Sequence, residues 1–238
     1  MDRNQPVRFG LIALATDLTI ESDAARLMPT GTALHVTRIA FDNPTTPENL
    51  RATGPRIQAA AGLLVPGVPL AAIGFGCTSA GALLGDAVGQ VVAAAGRPGV
   101  PVLTPSGGAI RAFRAMGIDR IALLTPYLPE TTAPVRDGFT AAGLMVIRDH
   151  SLGHADDRDI ARIDADAIIA GADATDHPDA QALFLSCTAL PALGLIEMLE
   201  DRLGKPVLAA NPSLFWSMLD AAQVPARGPG ALFSVRTW

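Results

Sequence analysis

The sequence predicts an α/β protein: two similar Rossmann-like lobes with parallel sheets, related by a pseudo-twofold, with the active site in the cleft between them. Three observations predict it. Short apolar or β-branched runs alternate with helix-length stretches along all 238 residues, the pattern of helices packed on a parallel sheet. The order of elements starts again near residue 117. Each half carries one of the two cysteines at the end of an apolar run, in Ile73-Gly74-Phe75-Gly76-Cys77-Thr78-Ser79 and in Leu183-Phe184-Leu185-Ser186-Cys187-Thr188-Ala189.

In order, residues 7–14 read as a central strand and 20–27 as a helix that ends before Pro29. Residues 33–39 are rich in β-branched side chains and read as a second strand. Thr46 as N-cap and Pro47 at the first helical position start a helix that runs to about Leu64, where Pro66-Gly67 stops it. A strand at 70–76 delivers Cys77, and a mostly helical stretch covers 80–95. A short strand at 100–104 precedes a helix through Met116, which Ser106 is placed to cap and which Gly117 closes. The second half repeats this: strand 120–125, helix 130–142, strand 144–148, helix 160–169, strand 183–186, helix 193–203, strand 206–210 and helix 212–222. In both halves roughly 66 residues separate the opening strand from the cysteine, far more than a short solenoid repeat. The expected division is an N-terminal lobe over 1–116, joined by the segment 212–238, and a C-terminal lobe over 117–211.

Composition narrows the function. The chain is 49% hydrophobic and 17% charged, so it can build a core, and with 5% aromatic residues that core is aliphatic. A net charge of -5 without a basic cluster argues against nucleic acid. No apolar run is long enough for a membrane span, and Met1 leads into a strand with no signal-peptide core, so a cytoplasmic protein is expected. Two cysteines outside any CxxC or His-x3-His pattern make neither a disulfide framework nor a zinc site, so no metal is expected. Gly74-Phe75-Gly76 lacks the third glycine of a dinucleotide fingerprint, and no cofactor is expected.

The chemistry rests on the cysteine pair. Open parallel sheets bind ligands at the carboxyl ends of their strands, where both cysteines fall. Each also precedes a stretch read as a helix start, whose free N–H groups favour a thiolate. An ordinary thiol titrates at about 8.5, so one member of a facing pair can serve as base and the other as acid. Such a pair moves a proton across a carbon acid; alternatively, one thiolate adds to a double bond. Thr78, Ser79, Thr188 and nearby backbone N–H groups supply donors for a carboxylate.

The segments Gly10-Leu11-Ile12, Gly76-Cys77-Thr78-Ser79, Thr125-Pro126-Tyr127 and Ser186-Cys187-Thr188-Ala189-Leu190 resemble the aspartate/glutamate racemase superfamily, within it the branch of maleate cis-trans isomerases and arylmalonate decarboxylases. The opening Leu14-Ala15-Thr16-Asp17-Leu18-Thr19 is similar to the ectoine-utilization EutA group of that branch. The resemblance implies Cys77 and Cys187 as the catalytic pair. It implies Thr78 and Ser79 on one substrate carboxylate, Tyr127 on that carboxylate or the intermediate, and the backbone near Thr188 and Ala189 as the rest of the cradle. The decarboxylases lack the first cysteine, so Cys77 disfavours decarboxylation here.

Maleate isomerases carry asparagine where this chain has Asp17 and tend to have it at Asp157. An aspartate there suits a cation such as an α-ammonium. The plainer readings are a helix cap for Asp17 and a solvated loop acid for Asp157. Arg38 either meets a distal carboxylate or is a solvated strand end. The expectation is a cofactor-independent racemase or epimerase of a small amino acid or ectoine-derived carboxylate, with maleate-type cis-trans isomerisation through a cysteine adduct as the alternative and a non-catalytic carboxylate binder as the other class. The expected partner is a small-molecule carboxylate or amino acid, with no nucleic acid and no membrane, in a homo-oligomer (dimer or tetramer).

Overall fold

The computed structural model describes residues 5–237. Two four-stranded parallel sheets carry the chain. The first contains β1 (Val7–Leu14), β2 (Thr32–Ile39), β3 (Ala72–Gly76) and β4 (Val102–Leu103), in the order β2-β1-β3-β4. The second contains β5 (Arg120–Thr125), β6 (Met145–Ser151), β7 (Ala182–Leu185) and β8 (Val207–Ala209), in the order β6-β5-β7-β8. The orders are the same, so β1 and β5 are equivalent, as are β3 and β7. Both β3 and β7 are buried along their whole length, as expected of strands covered by helices on two faces.

Helices α1 (Ile20–Leu27), α2 (Pro47–Arg51), α3 (Gly54–Leu63), α4 (Thr78–Leu84), α5 (Ala87–Ala94) and α6 (Pro105–Ala115) accompany the first sheet. The second half adds α7 (Pro129–Ala141), α8 (Asp157–Ile160), α9 (Ala165–Thr175), α10 (Ile196–Leu203) and α11 (Ala210–Ala221). Helix α11 follows a strand of the second sheet yet packs on β3 and α6 of the first, and nearly all of it is buried. One apolar core therefore runs from Phe9 and Phe113 to Phe184 and Trp216. No described helix is long and apolar enough to cross a membrane.

Several elements differ from their sequence reading. The helix expected from Pro47 to Leu64 is two, because the chain turns at Thr53 before Gly54-Pro55 restart it. The stretch 80–95 also divides, at Gly85 with φ +52, a backbone conformation that suits glycine. The helix expected at 160–169 lies at Ala165–Thr175, because the Asp164 carboxylate accepts from the Ala167 N–H at 2.8 Å and sets its start. Helix α6 is capped by Thr104, not Ser106: the Gly107 N–H donates to the Thr104 hydroxyl at 3.1 Å. Thr46 caps α2 as read, accepting from Asn49 N–H.

Candidate active site

The predicted residues come from equivalent strand ends. The exit of β1 carries Asp17 and that of β5 carries Tyr127; β3 delivers Cys77 and β7 delivers Cys187. The loops after β2 and β6 cover them and are clipped together. Thr45 N–H donates to Ala155 O at 2.7 Å, Asn43 Nδ2 to Asp156 Oδ1 at 3.1 Å, and Thr131 Oγ1 to Thr45 O at 2.7 Å. Thr19 Oγ1 donates to Ala189 O at 2.8 Å, tying the β1 exit loop to the Cys187 loop, and Thr188 Oγ1 donates to Gly76 O at 3.4 Å, joining the two cysteine loops. The thiols are 4% (Cys77) and 6% (Cys187) exposed, so the folded chain leaves them almost no contact with solvent. A cavity of about 480 Å³ lies elsewhere, lined by Gly81, Asp86, Val102, Ser106, Val135 and Gly138, none of which is a predicted site residue.

Cys77 is the N-cap of α4: its Sγ accepts from Ala80 N–H at 3.4 Å and lies 3.7 Å from Ser79 Oγ. Burial pushes this thiol up to about 12, and the Asp157 charge adds to the rise. Cys187 does not match the symmetric expectation. It is followed by an irregular loop through Pro191, and α10 starts only at Ile196, after a 3-10 turn at Leu193–Leu195. Its backbone sits at φ +93, a strained conformation for a residue with a side chain, which aims the thiol at the site instead of capping a helix. Burial and then Asp157 raise this thiol too, while the nearby Tyr127 hydroxyl and Ala189 N–H oppose the rise.

Tyr127 is fully buried, with its hydroxyl well above the usual phenol range because of burial and then the neighbouring Cys187 and Cys77. Both thiols lie near enough to act on it, and the Thr188 hydroxyl on the Gly76 carbonyl ties their loops together. Ser186 also lies near its oxygen, and Ser186 Oγ is buried with no hydrogen-bond partner among the described residues.

Asp17 caps the start of α1, as the plainer reading held. Oδ1 accepts from Thr19 N–H at 2.8 Å and from Ile20 N–H at 2.9 Å. Its other oxygen, Oδ2, is buried with no partner among the described residues, as is Thr78 Oγ1. The reading of Asp157 as a solvated loop acid is overturned. It is buried, opens α8, and accepts from Thr16 Oγ1 at 2.8 Å and Thr45 Oγ1 at 3.4 Å, which ties the β6 loop to the β1 and β2 loops. Arg38 is no free strand end: it donates to the carbonyls of Leu14, Ala15 and Asp17 and pairs with Glu21 at 2.7 Å, bracing the Asp17 loop.

Four polar residues escaped the sequence reading: Thr16, Thr19, Ser186 and Asn211. Asn211 is buried, and its Nδ2 donates to Thr188 O at 2.8 Å and to Asp23 Oδ2 at 2.9 Å. Its position at the carboxyl end of β8, just before Pro212, was the available signal, since that is where α/β sheets place ligand groups.

Burial pushes Asp157 and Asp23 up to about 6. The unfolded chain releases such protons near 3.9. The folded state therefore binds them more tightly, and their stabilising effect is full below about pH 4 and lost as pH rises through about 6. Each shift corresponds to roughly 3 kcal/mol at most. Asp157→Asn removes one such group, so its melting temperature should gain on the wild type as pH rises from about 5 to 8. Scanning calorimetry across that window checks this; parallel curves would reject the buried, proton-holding Asp157.

Two parallel sheets of the same strand order, each delivering a thiol from an equivalent strand end, define the α/β class of protein with a two-cysteine candidate site. The chain belongs to the arylmalonate decarboxylase family, whose model matches residues 54–233. A maleate isomerase of Nocardia farcinica (strain IFM 10152) is 26% identical over 236 residues, covering 94% of this chain and 93% of its own. An arylmalonate decarboxylase of Bordetella bronchiseptica is 31% identical over 142 residues, 57% of this chain and 58% of its own. The maleate cis-trans isomerase of Nocardia farcinica, solved as a cysteine-to-serine mutant with a covalently bound succinylcysteine intermediate, matches with TM-score 0.86 at 25% identity, over 95% of this chain and 97% of that one. These relatives favour the cis-trans alternative over the racemase expected first from the sequence.

Proposed function

We propose that the protein isomerises a small cis-enoate of the maleate type to its trans form through a covalent adduct on Cys77, with Cys187 moving the proton. The observation that carries this is the convergence of both thiols, from equivalent strand ends, on one tyrosine under one cover. The succinylcysteine seen in the Nocardia farcinica protein supports the covalent route. Such an adduct is saturated at both former alkene carbons, so its formation also needs a proton donor.

With the cover open, the Cys77 thiol is hydrated and loses its proton to water, since burial is the main cause of its raised value. The thiolate forms a C–S bond to one alkene carbon, and the π electrons move onto the other carbon and its carboxylate. The Cys187 thiol gives its proton to that carbon, leaving a thiolate to which the Tyr127 O–H donates. The former double bond is now single and rotates. Cys187 takes the proton back, the C–S bond breaks with its electron pair on Cys77 Sγ, and the trans product leaves; the Cys77 thiolate then regains a proton from water, which restores both thiols. Thr78 Oγ1, Ser79 Oγ and the loop N–H groups near Thr188 and Ala189 hold the carboxylate through these steps.

Closeness to the EutA group and membership of the wider racemase superfamily are narrower proposals resting on the quoted motifs. The test is vinyl-proton NMR of the wild type with maleate and its monoamide, with intact-mass analysis of Cys187→Ser. Trans product and a single substrate-mass adduct that peptide mapping assigns to Cys77 are expected. Exchange of an amino acid's α-hydrogen, with neither trans product nor adduct, would restore the racemase reading.

A further inference from the structure

The carboxyl groups at the site bear on which substrate it accepts. Asp17 is held rigidly: Oδ1 is saturated by two backbone N–H groups, and Arg38 grips its carbonyl. Oδ2 has no partner, and the residue is 1% exposed. A buried carboxylate oxygen left without a donor is costly, and the folded chain offers it none. Asp157 lies close enough for the Asp17 charge to raise it, and both acids act on the two thiols. Among the described residues, no Lys, Arg or His hydrogen-bonds or ion-pairs with either carboxyl group; their partners are threonine hydroxyls and backbone N–H groups. A substrate with two carboxylates would bring two more negative charges into a buried site that holds two acids and no paired cation. Toward Thr78 the chemistry is opposite, because an unpartnered hydroxyl and the Ser79 hydroxyl suit a carboxylate.

We propose that Asp17 Oδ2 accepts a hydrogen bond from an N–H group at one end of the substrate, so that the preferred class is a cis-enoate with one carboxylate and one carboxamide or ammonium end. This rests on the isomerase reading for the word enoate, but the recognition itself is a matter of binding and is tested separately from turnover. Asp17→Asn keeps the helix cap, since its amide oxygen accepts as Oδ1 does. It can turn the free position from acceptor into donor, and the preference should reverse.

Calorimetric titration with the saturated analogues succinate, succinamate and 4-aminobutanoate measures recognition without chemistry. The wild type should bind one of the two N–H-bearing analogues about 10- to 100-fold more tightly than succinate, the usual worth of a hydrogen bond to a charged group. Asp17→Asn should lose that preference or favour succinate, with its melting temperature as the control for folding. Succinate binding equal to or tighter than both N–H-bearing analogues in the wild type would overturn the proposal, and so would a preference left unchanged in the variant. Turnover of maleate, maleamate and cis-4-aminobut-2-enoate is followed in parallel. If no probe is isomerised while the binding preference holds, the isomerase reading fails and the Asp17 assignment stands.

Discussion

Cys77→Ser is expected to lower kcat/KM by about a thousandfold or more, equivalent to roughly 4 kcal/mol of transition-state stabilisation. A serine hydroxyl fits the same space, and Ala80 N–H still has an acceptor, so the fold should hold. What is lost is the nucleophile, because a hydroxyl does not ionise near neutral pH without a base and Cys77 has no histidine partner among the described residues. Cys187→Ser should lose a similar factor for a different reason: the adduct forms slowly, its carbon taking a proton from water, but without the Cys187 thiolate that proton is not removed efficiently and the adduct persists. Steady-state rates with intact-mass spectra separate the two, since adduct should accumulate only in Cys187→Ser. Near-wild-type turnover in either variant would remove the two-thiol mechanism. Tyr127→Phe, which deletes the donor to Cys187, should cost about 10- to 100-fold in kcat, with a smaller change in KM.

Gly108→Ala is expected to destabilise the fold by about 3 kcal/mol, or roughly 6–12 °C in melting temperature. A Cβ at Gly108 would lie 2.3 Å from the Ser213 carbonyl oxygen and 2.8 Å from its carbon. Those are backbone atoms of α11 and have no rotamer with which to move aside. Helices α6 and α11 would have to separate, and α11 begins beside Asn211, which holds the Thr188 carbonyl. Activity should therefore fall along with stability. Gly89→Ala is the matched control: a Cβ there meets nothing within 4 Å, so the variant should gain up to about 1 kcal/mol of helix propensity. Equal melting temperatures for the two variants would show that the close helix approach does not matter.

Much of the site was legible because its residues sit at strand ends, and strand ends are marked by local pattern. Apolar runs ending in Cys77 and Cys187, and Tyr127 after Thr125-Pro126, locate themselves. The two halves then align by spacing alone. Less legible were features that depend on how far a turn carries the chain. The breaks at Thr53 and Gly85 fall within helix-forming composition, and Asp164 competes with several other acids for the start of α9. The helix expected at 193–203 is present, opening as a 3-10 turn at Leu193–Leu195, but it does not start at Cys187 as α4 starts at Cys77, because the β7 loop runs past Pro191 under a strained Cys187 backbone.

By itself, then, the sequence determined the α/β alternation, the doubled order of elements and the cysteine pair, because strand and helix periodicity and chain spacing are local properties. Tertiary structure alone decided the environment of the acids. Asp17 and Asp157 sit in short loops, where local pattern reads a helix cap for the first and a solvated acid for the second. Only the closure of one lobe's loops over the other removes them from water, leaves Asp17 Oδ2 without a donor and raises Asp157. Burial of a charge depends on what lies across the cleft, and those partners are as much as 141 residues apart along the chain, as with Thr16 and Asp157.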